Sequence, residues 1–259
     1  MSPALSVSFL FVVLFVFAAL RELSNGLFVA SIELSSIIHR ENFQRKYLER
    51  IHVATDWKSV FQEQGAIWIH DGKAQRPHAL LTSGLHSDGF VNCSLVTQNA
   101  CLLQSIVTGA DGLAPRLLDK PDWVIGSALG AVTFAYAVAL QVGAKAGFTE
   151  KDGDVMKLAR FEVKPGEKVL VVEDTISTGG STLKTIEGIQ KAGVPAENIL
   201  PYIVCLVNRS GSATLGEREL RALLTLDIHN WSAEECPLCK IRSAVVRPKS
   251  NWAALTGTY

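Results

Sequence analysis

The chain has 259 residues, 48% of them hydrophobic, enough to bury a full core in one domain with an N-terminal extension. Formal net charge is zero and there is no basic block or aromatic-basic interleaving, which leaves no nucleic-acid surface to argue for. Five cysteines, an odd number without a framework spacing, exclude a disulfide scaffold and fit a reducing compartment.

Residues 4–20 are an uncharged run rich in Leu, Val and Phe, about as long as the shortest membrane-spanning helices. Met1-Ser2-Pro3 supplies no basic n-region, and Ser24-Asn25-Gly26 is a weak cleavage site. Arg40, Arg45, Lys46 and Arg50 follow, so the positive-inside bias would hold the main domain in the cytoplasm. We read 1–30 as a hydrophobic anchor or signal-like segment, with membrane anchoring through 4–20. A cleaved signal, an upstream start codon and a buried helix are the alternatives. Residues 31–55 read as a linker with an amphipathic helix at 37–51, and 56–259 as the main domain.

Asp56 is a good N-cap for a helix over 57–64, which Gly65 stops. Residues 79–92 read as strand–turn–strand around Thr82-Ser83-Gly84. Leu102, Leu103, Ile106 and Val107 share one face of a helix predicted across 98–118. A strand at 123–126, a helix at 131–142 and a strand at 144–148 come next. Asp152-Gly153-Asp154 suggests a mobile polar loop, and Pro165-Gly166 a turn. Buried-type strands are predicted at 169–173, 199–207 and 223–228. Asp88, His70 and His78 read as surface or loop residues. Alternation of this kind predicts an α/β fold with a central parallel sheet flanked by helices and ligands at the C-terminal strand ends.

The run Val169 to Thr182, VLVVEDTISTGGST, carries the most chemistry. An apolar strand ends in two acids, Glu173 and Asp174, expected at the strand end outside the core. Thr175, Ser177, Thr178, Gly179, Gly180, Ser181 and Thr182 make a hydroxyl- and glycine-rich turn before a helix closed by Gly193. Free N–H groups and the helix dipole favour an anion there, and the glycines permit close approach. No Gly-Lys-Ser/Thr ending supports a P-loop, and no G-x-G-x-x-G a dinucleotide site. Acids beside a monophosphate cradle suit a phosphorylated sugar, with carboxylates for ribose hydroxyls and N–H groups for the 5′-phosphate. A plain strand–helix connection with a solvated acidic pair is the other reading.

This segment resembles the motif for 5-phosphoribosyl 1-pyrophosphate (PRPP) in type I phosphoribosyltransferases. Leu81-Thr82-Ser83-Gly84-Leu85-His86-Ser87 is similar to the Ser-Gly signature of the orotate phosphoribosyltransferases. Ile125-Gly126-Ser127-Ala128-Leu129-Gly130-Ala131 is similar to their pyrophosphate loop, and Phe148-Thr149-Glu150-Lys151 stands where their basic catalytic loop stands. Val207-Asn208-Arg209 resembles the strand end that holds orotate. The chain departs from the pattern at Thr82, Leu85, Ser127 and Ala131, and its catalytic loop is short, with Lys151, Lys157 and Arg160 as its cations.

The resemblance implies the type I phosphoribosyltransferase fold with a small N-terminal hood, and a homodimer. It implies Mg²⁺-dependent transfer of the 5-phosphoribosyl group from PRPP to orotate, giving orotidine 5′-phosphate and pyrophosphate in pyrimidine biosynthesis. Lys151 and Asp174 would be catalytic. PRPP would meet Lys151, Glu173, Asp174, Thr175, Ser177, Thr178, Gly179, Gly180 and Ser181, and its pyrophosphate Ser127, Ala128, Leu129 and Gly130. Ser177 and Arg209 would hold orotate, and Mg²⁺ would be bound through PRPP with no direct protein ligand. A purine-type transferase and a non-catalytic PRPP-binding regulator are the alternatives. Cys236-Pro237-Leu238-Cys239 raises a zinc or redox reading, but no second CxxC or His pair accompanies it in sequence, which favours a structural pair.

Overall fold

The computed structural model describes residues 55–256, so the run at 4–20 and the helix expected at 37–51 lie outside the described residues. Among the described residues, no helix is long and apolar enough to cross a membrane.

The first part is a small hood. Helix α1 (Trp57–Glu63) starts where Asp56 accepts from the Lys58 and Ser59 amides, as its N-cap role requires. Strands β1 (Ile67–Ile69), β2 (His78–Leu80), β3 (His86–Ser87) and β4 (Gly89–Val91) follow. β1 pairs with β4 and β2 with β3, both antiparallel. Trp68, Ala79, Leu81 and Leu255 form the core of this part.

Helices α2 (Ser94–Thr97) and α3 (Ala100–Thr108) lead into the main layer. The helix predicted across 98–118 is therefore shorter. Gly109 turns extended, Gly112 sits so close to Ile106 that a Cβ would lie 2.1 Å from its carbonyl oxygen, and Pro115 falls in a single 3₁₀ turn. The two glycines break the helix that the apolar spacing alone would continue.

The central elements are β5 (Trp123–Ser127), α4 (Val132–Val142), β6 (Lys145–Asp152), β7 (Val155–Lys157), β8 (Val169–Ile176), α5 (Gly180–Lys191), β9 (Ile199–Asn208), β10 (Thr214–Leu215) and β11 (Arg218–Thr225). They form one seven-stranded sheet in the order β10-β11-β9-β8-β5-β6-β7. The five inner strands run parallel, and β10 and β7 close the edges antiparallel. Alternation along β8 explains the layers. Val169 and Val171 pack with Ile186 and Ile189 of α5, while Leu170 and Val172, both fully buried, face the opposite side. Helix α4 packs against β5, β6 and β8. Strands covered on both faces must be apolar throughout, as the sequence run 169–172 is.

Two strand boundaries differ from the sequence reading. β6 runs on to Asp152 and pairs with β7, so Lys151 lies in a hairpin strand, opposite Met156, rather than in a mobile loop. Gly153 makes the turn at φ +61°. The last strand of the large sheet ends at Thr225, because its parallel register with β9 starts earlier, at Glu219 opposite Tyr202.

After β11 the chain returns to the hood through β12 (Asn230–Trp231), α6 (Pro237–Lys240), β13 (Val245–Val246) and α7 (Trp252–Thr256). β12 joins β3 and β13 joins β2, giving a four-stranded sheet in the order β12-β3-β2-β13. The hood is thus built from both ends of the described chain.

Candidate active site

Three strand ends meet at one edge of the large sheet. β5 ends at Ser127, β8 passes through Glu173 and Asp174, and β9 ends at Asn208, followed by Arg209. Neighbouring parallel strands put these ends side by side: Ile176 is opposite Asn208, and the Arg209 amide donates to the Ile176 carbonyl at 2.8 Å.

The turn after β8 has the geometry of an anion cradle. Gly179 takes the left-handed conformation at φ +74°, just before α5 begins at Gly180. The backbone shape favours glycine there, and a Cβ at Gly179 would also press on the Leu215 side chain. Thr178, Gly180 and Ser181 are exposed, and the first turn of this 12-residue helix presents its free amides there.

The two acids differ sharply in environment. Glu173 is 4% exposed, so the expectation that both acids lie outside the core is corrected for this residue. Ser127 Oγ reaches both of its carboxylate oxygens at 2.6 Å, and Thr182 Oγ1 donates at 3.1 Å. Burial, then the charge of Asp174, pushes the Glu173 carboxyl up to about 8. Asp174 is half-buried, and its Oδ1 accepts the Thr175 amide at 2.7 Å. A Cβ on Gly130 would sit 2.6 Å from Asp174 Oδ2, so a side chain there would displace the carboxylate. The segment 127–130 and the acidic pair are therefore packed together, with Leu129 88% exposed at the rim.

Arg209 is 3% exposed. Its Nη1 donates to Ser87 Oγ and to the Gly89 carbonyl, each at 3.3 Å. Burial lowers its pKa to about 10 against the opposing influence of Asp88, so it stays charged at neutral pH. Among the described residues no carboxylate lies within ion-pair distance of it; Asp88 instead faces His229 Nδ1 at 3.2 Å. A buried guanidinium held only by neutral acceptors is matched to an anionic, planar ligand.

The cations of the β6–β7 hairpin are unequal. Lys157 pairs with Asp152, and Arg160 makes two 2.9 Å contacts to Glu150. Lys151 is exposed and, among the described residues, pairs with no carboxylate. The structure thus brings Ser127, Ala128, Leu129, Gly130, Glu173, Asp174, Thr175, Ser177, Gly179 and Arg209 to one sheet edge, and leaves Lys151 on the hairpin two strands along.

Two supporting residues escaped the sequence reading. Cys93 Sγ lies 3.1 Å from Thr175 Oγ1 and 3.5 Å from the Asp174 carbonyl, and burial raises its thiol far above the usual range, so it is an inert prop. Ser87 anchors Arg209 from the hood, and nothing local in sequence marks either role. His70 and His78 are buried rather than on the surface, because the C-terminal return packs on both through Ser243.

No family model matches the chain. It is 40% identical over 176 residues to the orotate phosphoribosyltransferase of Caldicellulosiruptor bescii, covering 67% of this chain and 89% of that protein. It is 35% identical over 200 residues to the orotate phosphoribosyltransferase of Thermotoga maritima, covering 75% and 97%. Among solved structures it is similar to the orotate phosphoribosyltransferase from Aeropyrum pernix, at 21% identity and TM-score 0.48, covering 64% of this chain and 92% of that one.

Proposed function

We propose a function on one premise: this chain belongs to the orotate phosphoribosyltransferase family. Its reaction is transfer of the 5-phosphoribosyl group from PRPP to orotate. The C1–O bond to pyrophosphate breaks, a ring nitrogen of orotate bonds to C1, and that nitrogen's proton goes to solvent. The products are orotidine 5′-phosphate and pyrophosphate. The observation that carries this reading is the buried Arg209, with no carboxylate in ion-pair distance among the described residues, one strand away from an acidic pair and a helix N-terminus.

The parts divide the substrate between them. Amides and hydroxyls of Thr175 to Ser181 hold the 5′-phosphate, and Asp174 holds the ribose hydroxyls. The backbone of 127–130 follows the pyrophosphate, and Arg209 with Ser177 orients the acceptor carboxylate. Cleavage builds positive charge on the ribose, which the adjoining Asp174 carboxylate stabilises. Lys151 on its hairpin answers the charge on the leaving group and helps exclude water. The oxygen donors of the turn fit Mg²⁺ brought in on PRPP, and Asp174 would help to hold it. When bound, that ion neutralises developing charge on the pyrophosphate.

We further propose a homodimer, since Tyr136 and Leu140 on α4 are 65% and 63% exposed and an apolar contact would cover them. The run at 4–20 we propose as an anchor with the domain facing the cytoplasm; protease protection in sealed vesicles of known orientation decides that.

Full-length protein in detergent, given PRPP and Mg²⁺ with a panel of bases, tests the function. Pyrophosphate release with orotate is expected. Reaction only with hypoxanthine or guanine would mean a purine-type transferase, and PRPP binding without turnover a regulator.

A further inference from the structure

His78 of β2, His86 of β3 and the two cysteines flanking Pro237-Leu238 converge at one point in the hood. Their donor atoms all lie within 4.8 Å of one another. His78 Nε2 is 2.9 Å from His86 Nδ1, 3.6 Å from Cys236 Sγ and 3.5 Å from Cys239 Sγ. Cys239 Sγ is 3.2 Å from His86 Nδ1. The histidines share a sheet face because Leu80 pairs with His86, and His78 lies two residues before Leu80. Both histidines and Cys236 are buried.

Neighbouring hydrogen bonds determine which nitrogen of His78 is available. Ser243 Oγ donates to the Arg76 carbonyl at 2.6 Å, so its 2.9 Å contact with His78 Nδ1 has the imidazole as donor. The proton of neutral His78 is then on Nδ1, and Nε2 turns a lone pair toward His86, Cys236 and Cys239. His70 completes this outer layer, accepting from the Gly72 amide on Nδ1 and donating from Nε2 to the Arg76 carbonyl. A ligating imidazole fixed through its other nitrogen is the usual support of a metal centre.

Two imidazole nitrogens and two sulfurs face one another in a buried pocket, a donor set suited to a borderline-soft cation. We propose that His78, His86, Cys236 and Cys239 bind one Zn²⁺ ion. A tetrahedral zinc shell with its normal bond lengths spaces S and N donors roughly 3.5 Å apart, the separation found here. Four protein ligands leave no open position, so the site is structural and takes no part in the reaction. Binding releases the two thiol protons to solvent. The ion clamps α6 to the β2–β3 hairpin, joining segments more than 150 residues apart in the chain. The partners missing from the sequence neighbourhood of the cysteine pair come from the other end of the hood.

Zinc content of the full-length protein, purified in detergent under reducing conditions, tests the site. One zinc per chain is expected. After chelation, added Co²⁺ should give the absorption of tetrahedral cobalt with thiolate-to-metal charge transfer, and added Zn²⁺ should raise the melting temperature. Cys239→Ser and His86→Ala should lose the ion, while Cys101→Ser, at an exposed free thiol outside the cluster, should keep it. Should the variants fail to fold, the wild-type cobalt spectrum still decides. A wild-type protein that holds no zinc and gives no thiolate–cobalt band, or whose freshly isolated form has a Cys236–Cys239 disulfide, overturns the proposal. So does equal loss of metal in Cys101→Ser.

Discussion

Ser127 Oγ stands 2.6 Å from both carboxylate oxygens of Glu173, tying the end of β5 to the acidic pair of β8. The contact matters because Glu173 is the acid that burial drives toward the neutral form. Its carboxyl is pushed from 4.5 to about 8, by burial first and the Asp174 charge second, while the Ser127 hydrogen bond pulls the other way.

That shift has a definite sign in stability. Between 4.5 and about 8 the folded protein binds a proton that the unfolded chain releases. The contribution of Glu173 is therefore complete below 4.5 and is lost as pH rises through about 8. Glu173→Gln cannot ionise, so relative to wild type it should gain stability across that window, on the order of 1 kcal/mol per pH unit. Denaturant unfolding at several pH values measures the gap. A gap that stays constant would mean that Glu173 is already ionised in the folded protein.

Asp174 should behave differently, since it is half-buried and lies on the site. Asp174→Asn should keep the fold while lowering kcat/KM for PRPP by roughly 10²-fold, about 2.7 kcal/mol of lost transition-state stabilisation. Steady-state kinetics beside a thermal melt separates the two effects. Unchanged kcat/KM would remove Asp174 from the reaction.

Much of this site is local in sequence, and that part was legible. The run 169–172 is apolar because β8 is covered on both faces, and Gly179 marks the turn because its backbone is left-handed. The buried state of Glu173 was not legible, because it depends on Ser127 and Thr182 closing over it from two other elements. Helix spacing at 98–118 gave the right face but the wrong length, since Gly112 is set by contact with Ile106 rather than by period. His78 read as a surface or loop residue because the cysteines that pack on it lie more than 150 residues away. Lys151 looked like a loop residue because Asp152-Gly153-Asp154 signals a turn, without saying that the turn joins two paired strands.

Arg209→Lys should raise the KM for orotate far more than that for PRPP. Lysine has no planar fork, and in this pocket it would give up a contact to Ser87 or Gly89 as well. The loss should be about 1.5–3 kcal/mol, the range for hydrogen bonds to charged groups. Equal rises for both substrates, together with a lower melting temperature, would show that Arg209 only braces the hood.

The hairpin offers three cations, and their partners rank them. Lys157 and Arg160 are committed to Asp152 and Glu150, whereas Lys151 has no carboxylate partner among the described residues. A side chain free of ion pairs can turn to a leaving group without first breaking a contact. Lys151→Ala should accordingly lower kcat by roughly 10²-fold, about 2.7 kcal/mol, with a much smaller change in PRPP affinity. Lys157→Ala and Arg160→Ala should each change kcat by less than about threefold, because their ion pairs with Asp152 and Glu150 hold both cations away from a leaving group. Single-turnover rates with saturating PRPP compare the three directly. If Lys157→Ala or Arg160→Ala proves the more damaging, its ion pair opens during turnover, and the charge over the pyrophosphate belongs to that residue instead.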